Sequence, residues 1–255
     1  MKKIIIPLPN HDYDPTEVAV SFIFLKRAGF QVVVATPRGE VASADEFMTT
    51  GKGLGILKRI LMADDNGLNA YKSMISTSEY LHPIKYSSIE EKDYDGIVLP
   101  GGHTKGMREY LESEILQKKI TEFYKANKPI GAICHGVVLL SRSKIDHQSI
   151  IKDHRVTALT KVQELTAFNL TRLWLNDYYL TYNITVEDEV KSNLLNPDQF
   201  LYGPKAGSIL LLPFLKRDEP NNYSNGFCVV DKNIVTARWP GDAHLFIQKF
   251  IEMFK

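Results

Sequence analysis

Short apolar runs rich in Val and Ile recur along the chain, and between them apolar positions are spaced as on one face of a helix. The first pattern predicts buried strands and the second amphipathic helices. Their alternation predicts a mainly parallel sheet with helices on both faces. "KKIIIPLP" reads as the first strand and "PTEVAVSFIFLKRAG" as a helix ending at Gly29. "FQVVVATP" is a second strand, and "YDGIVLPGG" another that ends in a glycine pair. "MREYLESEILQKKITEFYKAN" is the helix after it, "KPIGAIC" a short buried strand and "HGVVLLSRS" its following helix. "HRVTALT" and "GFCVVDKNIVTARWP" read as later strands, the second a hairpin turning near Asp231, Lys232 and Asn233. "GDAHLFIQKFIEMF" closes the pattern as a helix beginning around Asp242.

Two stretches break the alternation. Residues 40–90 carry "GKGLGILKRILMADDNG" and little strand pattern, and residues 165–205 are rich in aromatics and partly helical. Both are expected to be helical cap insertions on one domain spanning 1–255, placed over the carboxyl ends of the strands, where open α/β sheets bind ligands.

Composition narrows the function classes. A net charge of +1 gives no electrostatic reason to expect nucleic acid or an anionic membrane as partner. No run approaches the roughly 20 apolar residues of a membrane span. The apolar stretch near the amino terminus stops at Pro7 and reads as a strand rather than a signal peptide. The two cysteines, Cys134 and Cys228, allow at most one disulfide. A soluble cytoplasmic protein is the expectation.

The segment "AICHG", residues 132–136, has the small-x-nucleophile-x-Gly pattern of a sharp strand-to-helix turn. A helix starting there aims free N–H groups at the Cys134 sulfur, which predicts a lowered thiol pKa. The rival is a small hydrophobe at the end of a buried strand. Strand, turn, glycine and helix coincide here, which favours a nucleophile. Cys228, in "GFCVVD", has no such context and reads as a packed strand residue.

With "PNHDYDPTEVA", "YDGIVLPGGH", "KPIGAICHG", "HRVTALTKVQE" and "NIVTARWPGDAHLF", the chain resembles the ThiJ/PfpI superfamily over nearly its whole length. The His directly after the Cys is similar to the branch of glyoxalase III enzymes, deglycase-like proteins and stress chaperones. The resemblance implies a flavodoxin-like, class I glutamine amidotransferase-like three-layer fold: doubly wound, mostly parallel, with helical caps. It implies Cys134 as nucleophile, His135 as neighbouring base, Glu164 as acidic third member and Glu17 as the carboxylate contacting the thiol. The N–H groups of Gly102 and His135 would form the oxyanion hole.

Each residue has a plainer reading. His135 could point at solvent, Glu164 could sit on an exposed helix face, and "GGH" at 101–103 could be only a tight turn. Glu17 has the strongest rival: "DPTE" is a capping box with Asp14 as N-cap, Pro15 at the first helical position and Glu17 three residues after the cap. The catalytic role is preferred because the end of the first strand should lie beside the elbow strand.

His11, His82, His103, His147, His154 and His244 form no compact ligand set at zinc spacing, so no metal is expected at the site, and no cofactor. The expected substrate is a small reactive carbonyl, which Cys134 would attack to give a hemithioacetal. A short peptide or amide is the alternative, with the chain acting as a cysteine hydrolase. A glutaminase would need a late His-x-Glu, and His244 is followed two residues on by Phe246. A stress chaperone or redox sensor without turnover is the reading from another class. A homodimer is compatible with the resemblance.

Overall fold

The computed structural model describes residues 1–203 and 216–255. Along the chain run β1 (Lys3–Pro7), α1 (Pro15–Arg27), β2 (Gln31–Thr36), α2 (Glu46–Thr50), α3 (Lys58–Leu61), α4 (Asp65–Ile75), α5 (Ser78–Leu81) and β3 (Ile84–Lys85). Then come β4 (Gly96–Leu99), α6 (Arg108–Leu111), α7 (Glu114–Lys125), β5 (Ile130–Ile133) and α8 (Gly136–Arg142). A two-strand ladder, β6 (Lys144–Ile145) with β7 (Gln148–Ser149), precedes α9 (Lys161–Leu175) and α10 (Val186–Ser192). The hairpin β8 (Cys228–Asp231) and β9 (Ile234–Ala237) leads into α11 (Ala243–Glu252).

The main sheet has the order β3-β2-β1-β4-β5-β9-β8, and every pairing is parallel except β8 with β9. Its central strands are closed to solvent on both faces: Ile4, Ile5, Ile6, Ile97, Val98, Leu99, Ile130 and Ile133 are all fully buried. That explains their continuous apolar runs in place of alternation. Helices α1, α4 and α11 pack together on one side, while α7 and α8 lie against β4 and β5. The flavodoxin-like α/β fold expected from the sequence is the one observed. The strand order reverses between β1 and β4, so their carboxyl ends open a crevice.

Several elements differ from expectation. "HRVTALT" is not a strand: Val156 makes one isolated bridge with Phe200, and the Thr157 N–H goes to Thr236 Oγ1 at 2.9 Å. The place beside β9 is already filled by β8, so these residues have no ladder to join. The predicted helix over 107–127 breaks near Ser113, whose hydroxyl caps α7 by accepting the Leu116 N–H. The stretch 40–90 is a lid only in part. Met48, Ile60 and Leu61 reach the pocket described below, but α4 lies along α1 and β3 adds an edge strand beside β2. Over the sheet, Met48, Leu54 and Tyr179 form a separate apolar cluster, joined by Phe47, Leu61, Ala167, Phe168 and Tyr178. The two insertions therefore pack on each other.

Candidate active site

β5 ends at Ile133 and α8 begins at Gly136, leaving Cys134 and His135 to make the turn. Cys134 has φ 59°, the left-handed region that side chains with a Cβ adopt at a cost. Two glycines let the turn close. A Cβ on Gly136 would lie 2.1 Å from the Leu99 carbonyl oxygen, and one on Gly101 would lie 2.7 Å from the His135 nitrogen and 3.0 Å from both Cys134 Cβ and Glu17 Oε2. The elbow expected from "AICHG" is therefore present in the backbone, and β4, β5 and α1 meet at its sulfur.

Glu17 is fully buried and its Oε2 accepts the Gly101 N–H at 2.7 Å. The carboxyl also lies against the Cys134 thiol, while Oε1 lacks a hydrogen bond of ordinary geometry. Its competing role as a capping-box member is not taken up. Asp14 caps α1, accepting the N–H groups of Thr16 and Glu17, but the Asp14 N–H donates to Gly101 O. The carboxylate turns inward to the elbow.

Burial, then the neighbouring Asp14 charge, holds Glu17 well above the usual carboxylate range. Burial and the charges of Glu17 and Asp14 likewise push the Cys134 thiol up, opposed by the His135 N–H that faces the sulfur. The lowered thiol pKa expected from the helix end is thus outweighed. α8 spans seven residues, and a carboxyl sits closer to the sulfur than most of its dipole. The Glu17 charge opposes the thiolate, whereas contact with the thiol favours the carboxylate.

His135 is fully buried, with Nδ1 3.5 Å from Cys134 Sγ and Nε2 3.1 Å from Thr181 Oγ1. Burial depresses it to about 3, so the ring is neutral. Glu164 lies on α9 but is buried, not on an exposed face. Its Oε2 accepts the Val186 N–H at 2.9 Å, and its unpaired Oε1 is 3.9 Å from His135 Nε2. Burial raises Glu164 to about 7. The structure brings Cys134, His135, Glu17 and Glu164 together, with Gly102 beside them on the pocket wall.

The pocket over the sulfur is a cavity of about 140 Å³, close to one that takes up a single benzene ring. Its walls are largely apolar, from Met48, Leu61, Leu159, Leu170, Trp239 and Pro240. Three wall residues lie outside the expected site set, although Asp14 is the expected N-cap of α1 and His103 ends the "GGH" turn. Asp14 is raised to about 6, chiefly by burial. His103 stacks on Tyr179 with ring centres 4.5 Å apart. Arg217 enters from the segment before β8. His135 lies behind the sulfur rather than on the wall. His244 is elsewhere, with Nδ1 2.8 Å from Asp218 Oδ1. Among the described residues no group of three His, Cys, Asp or Glu is placed to hold a metal, and no helix is long and apolar enough to cross a membrane.

The family profile described as ThiJ/PfpI family-like matches residues 8–204. The chain belongs to the ThiJ/PfpI-like family. It is 27% identical over 237 residues to the glutathione-independent glyoxalase hsp3102 of Schizosaccharomyces pombe, covering 89% of this chain and 82% of that one. It is 30% identical over 149 residues to the uncharacterized protein C14C4.04 of the same yeast, covering 55% of this chain and 54% of that one, so the chain spans about half that relative's length. The crystal structure of glyoxalase III from Candida albicans superposes with a TM-score of 0.64 at 17% identity, over 100% of this chain and 98% of that one. At that identity the likeness is one of fold.

Proposed function

We propose that this member of the family converts small 2-oxoaldehydes to 2-hydroxy acids without glutathione or any other cofactor, through a hemithioacetal on Cys134. One observation carries the reading: a thiol and a proton-holding carboxyl lie against each other at the base of a cavity sized for a few carbon atoms. The glyoxalase relative among the family supports the same chemistry.

The reacting form is the one in which thiol and carboxyl together hold a single proton, with Glu17 a carboxylate. The sulfur adds to the aldehyde carbon C1, and the thiol proton passes by way of Glu17 to the C1 oxygen. The N–H groups of Gly102 and His135 steady that oxygen while it is negative. Glu17, again a carboxylate, takes the C1 hydrogen as a proton and delivers it to C2, while the hydroxyl proton moves from the C1 oxygen to the C2 oxygen. The product is a thioester. Water then adds its OH to the acyl carbon and its proton to sulfur, releasing the 2-hydroxy acid and the free thiol. Hydrogen and electrons are redistributed within one molecule, so no redox partner is required. His135, neutral and held by Thr181, serves as a positioning residue for the sulfur, with Glu164 behind it.

Incubation of the purified protein with methylglyoxal alone should yield lactate, and Cys134→Ala should lower that rate at least about a thousandfold. Absence of lactate from the wild type would end this reading. Lactate formed at an undiminished rate by the variant would end the assignment of the nucleophile.

A further inference from the structure

Arg217 is the one Lys or Arg among the described residues lining the cavity. Its guanidinium is fixed at two points outside the chemistry: Nη2 donates to the Met62 carbonyl at 3.1 Å, and the group stacks on the Trp239 ring at 5.3 Å. The remaining end is open: Nη1 is buried and has no hydrogen-bond partner among the described residues. Among the described residues no carboxylate forms an ion pair with it, and residues 204–215 contain neither Asp nor Glu. The Arg217 charge is felt at Asp14, whose carboxyl it lowers against the larger effect of burial, yet among the described residues the two form no ion pair. Here Asp14 spends an oxygen on the N–H groups of Thr16 and Glu17 instead.

A buried donor without an acceptor costs on the order of 1–3 kcal/mol, more when charged, so its retention points to an acceptor that arrives with the ligand. The fork of an arginine matches a carboxylate, which can accept two parallel N–H bonds. The acids on the same wall do not forbid an anion: Asp14, Glu17 and Glu164 are all raised by burial and hold protons more readily than free carboxyls. The apolar walls between Arg217 and the elbow suit a short methylene chain.

We infer that Arg217 is a specificity-determining anion subsite, and that the cavity takes carbonyl compounds bearing a carboxylate at the end remote from the aldehyde. The subsite stands on the cavity alone. The substrate class, a 2-oxoaldehyde carrying a terminal carboxylate and yielding a 2-hydroxydicarboxylate, rests on the reaction proposed above.

The test separates the two. Alkylation of Cys134 by iodoacetamide is followed by mass spectrometry in the presence of pentanoate or of pentanamide, which share shape and differ in charge. Pentanoate should protect at a concentration about 10- to 100-fold lower than pentanamide, and Arg217→Gln should erase that preference. Equal protection by the two in the wild-type protein would overturn the subsite, as would a preference that survives in the variant. The wild-type comparison decides even if the variant folds poorly. In turnover, 4,5-dioxopentanoate should exceed its methyl ester in kcat/KM by about tenfold or more, with the difference in KM. Equal values would overturn the substrate class. If neither compound nor methylglyoxal is converted while pentanoate still protects, the glyoxalase reading fails and the subsite remains.

Discussion

Among the described residues, two clusters of buried charge near the cavity are wired differently. Near the start of α11, Asp218 and Asp242 have both oxygens filled. Asp218 takes the N–H groups of His244 and Leu245 together with His244 Nδ1, and Asp242 takes the Phe227 and Arg238 N–H groups and two Arg238 side-chain nitrogens. Around the elbow, Glu17 and Glu164 each give one oxygen to a backbone N–H and leave the other without an ordinary partner. Buried polar groups are normally satisfied, since an orphan costs desolvation with no return. The saturated cluster is scaffold. The unsaturated one keeps acceptors free beside a thiol and a cavity.

The sharpest way to break this contrast is Glu17→Gln. Turnover should fall by about 10²–10⁴-fold, the usual range for losing a positioned acid–base, while the free energy of unfolding stays within about 1 kcal/mol. A glutamine still accepts the Gly101 N–H. Loss of stability with turnover kept, in urea melts paired with lactate assays, would return Glu17 to a capping role.

Asp242→Ala should do the reverse. It strands Arg238, 6% exposed, without its partner, and removing one member of a buried pair costs about 3–5 kcal/mol in urea unfolding. A cost below about 1 kcal/mol would mean the saturated cluster is not scaffold.

The smallest effect is one of pH. The folded pKa of Glu164 is about 7 against an ordinary 4.5. A carboxyl raised on folding contributes stability that is full below its unfolded pKa and is lost as pH climbs toward the folded one. Between pH 4.5 and about 7 the wild-type protein should therefore lose stability relative to Glu164→Gln, on the order of 1–3 kcal/mol across the window. A flat difference between the two unfolding curves would show that Glu164 ionises like a free acid.

The sequence carried the parts that local rules govern. The elbow was visible because a strand, a small residue, a nucleophile and a glycine must coincide to make that turn, and Cys134 duly takes a positive φ. The parallel sheet followed from its apolar runs. The direction of the Glu17 side chain could not follow, because the same four residues satisfy a cap or an elbow, and only the Gly101 N–H arriving from β4 decides between them. Arg217, Tyr179 and Asp14 were missed as neighbours because they come from three distant segments joined by packing alone. "HRVTALT" misled for a related reason: strand propensity is worth little when the sheet offers no free edge. α11 starts beside Asp242, as the pattern predicts, yet the carboxylate that caps its first turn is Asp218, twenty-odd residues earlier in the chain.

That borrowed cap bears on the order of assembly. Asp218 follows Arg217 directly, and its N–H donates to the Gly241 carbonyl just ahead of α11, so docking of the last helix also seats the wall that carries the guanidinium and Trp239. The bend at residue 134 waits on the same end of the chain, because β5 pairs with β9 from Ile130 to Ile133 and the Cys134 N–H donates to the Ala237 carbonyl. Floor and wall of the chamber are thus completed together by the last strand and helix, and a chain still emerging during synthesis holds neither in finished form.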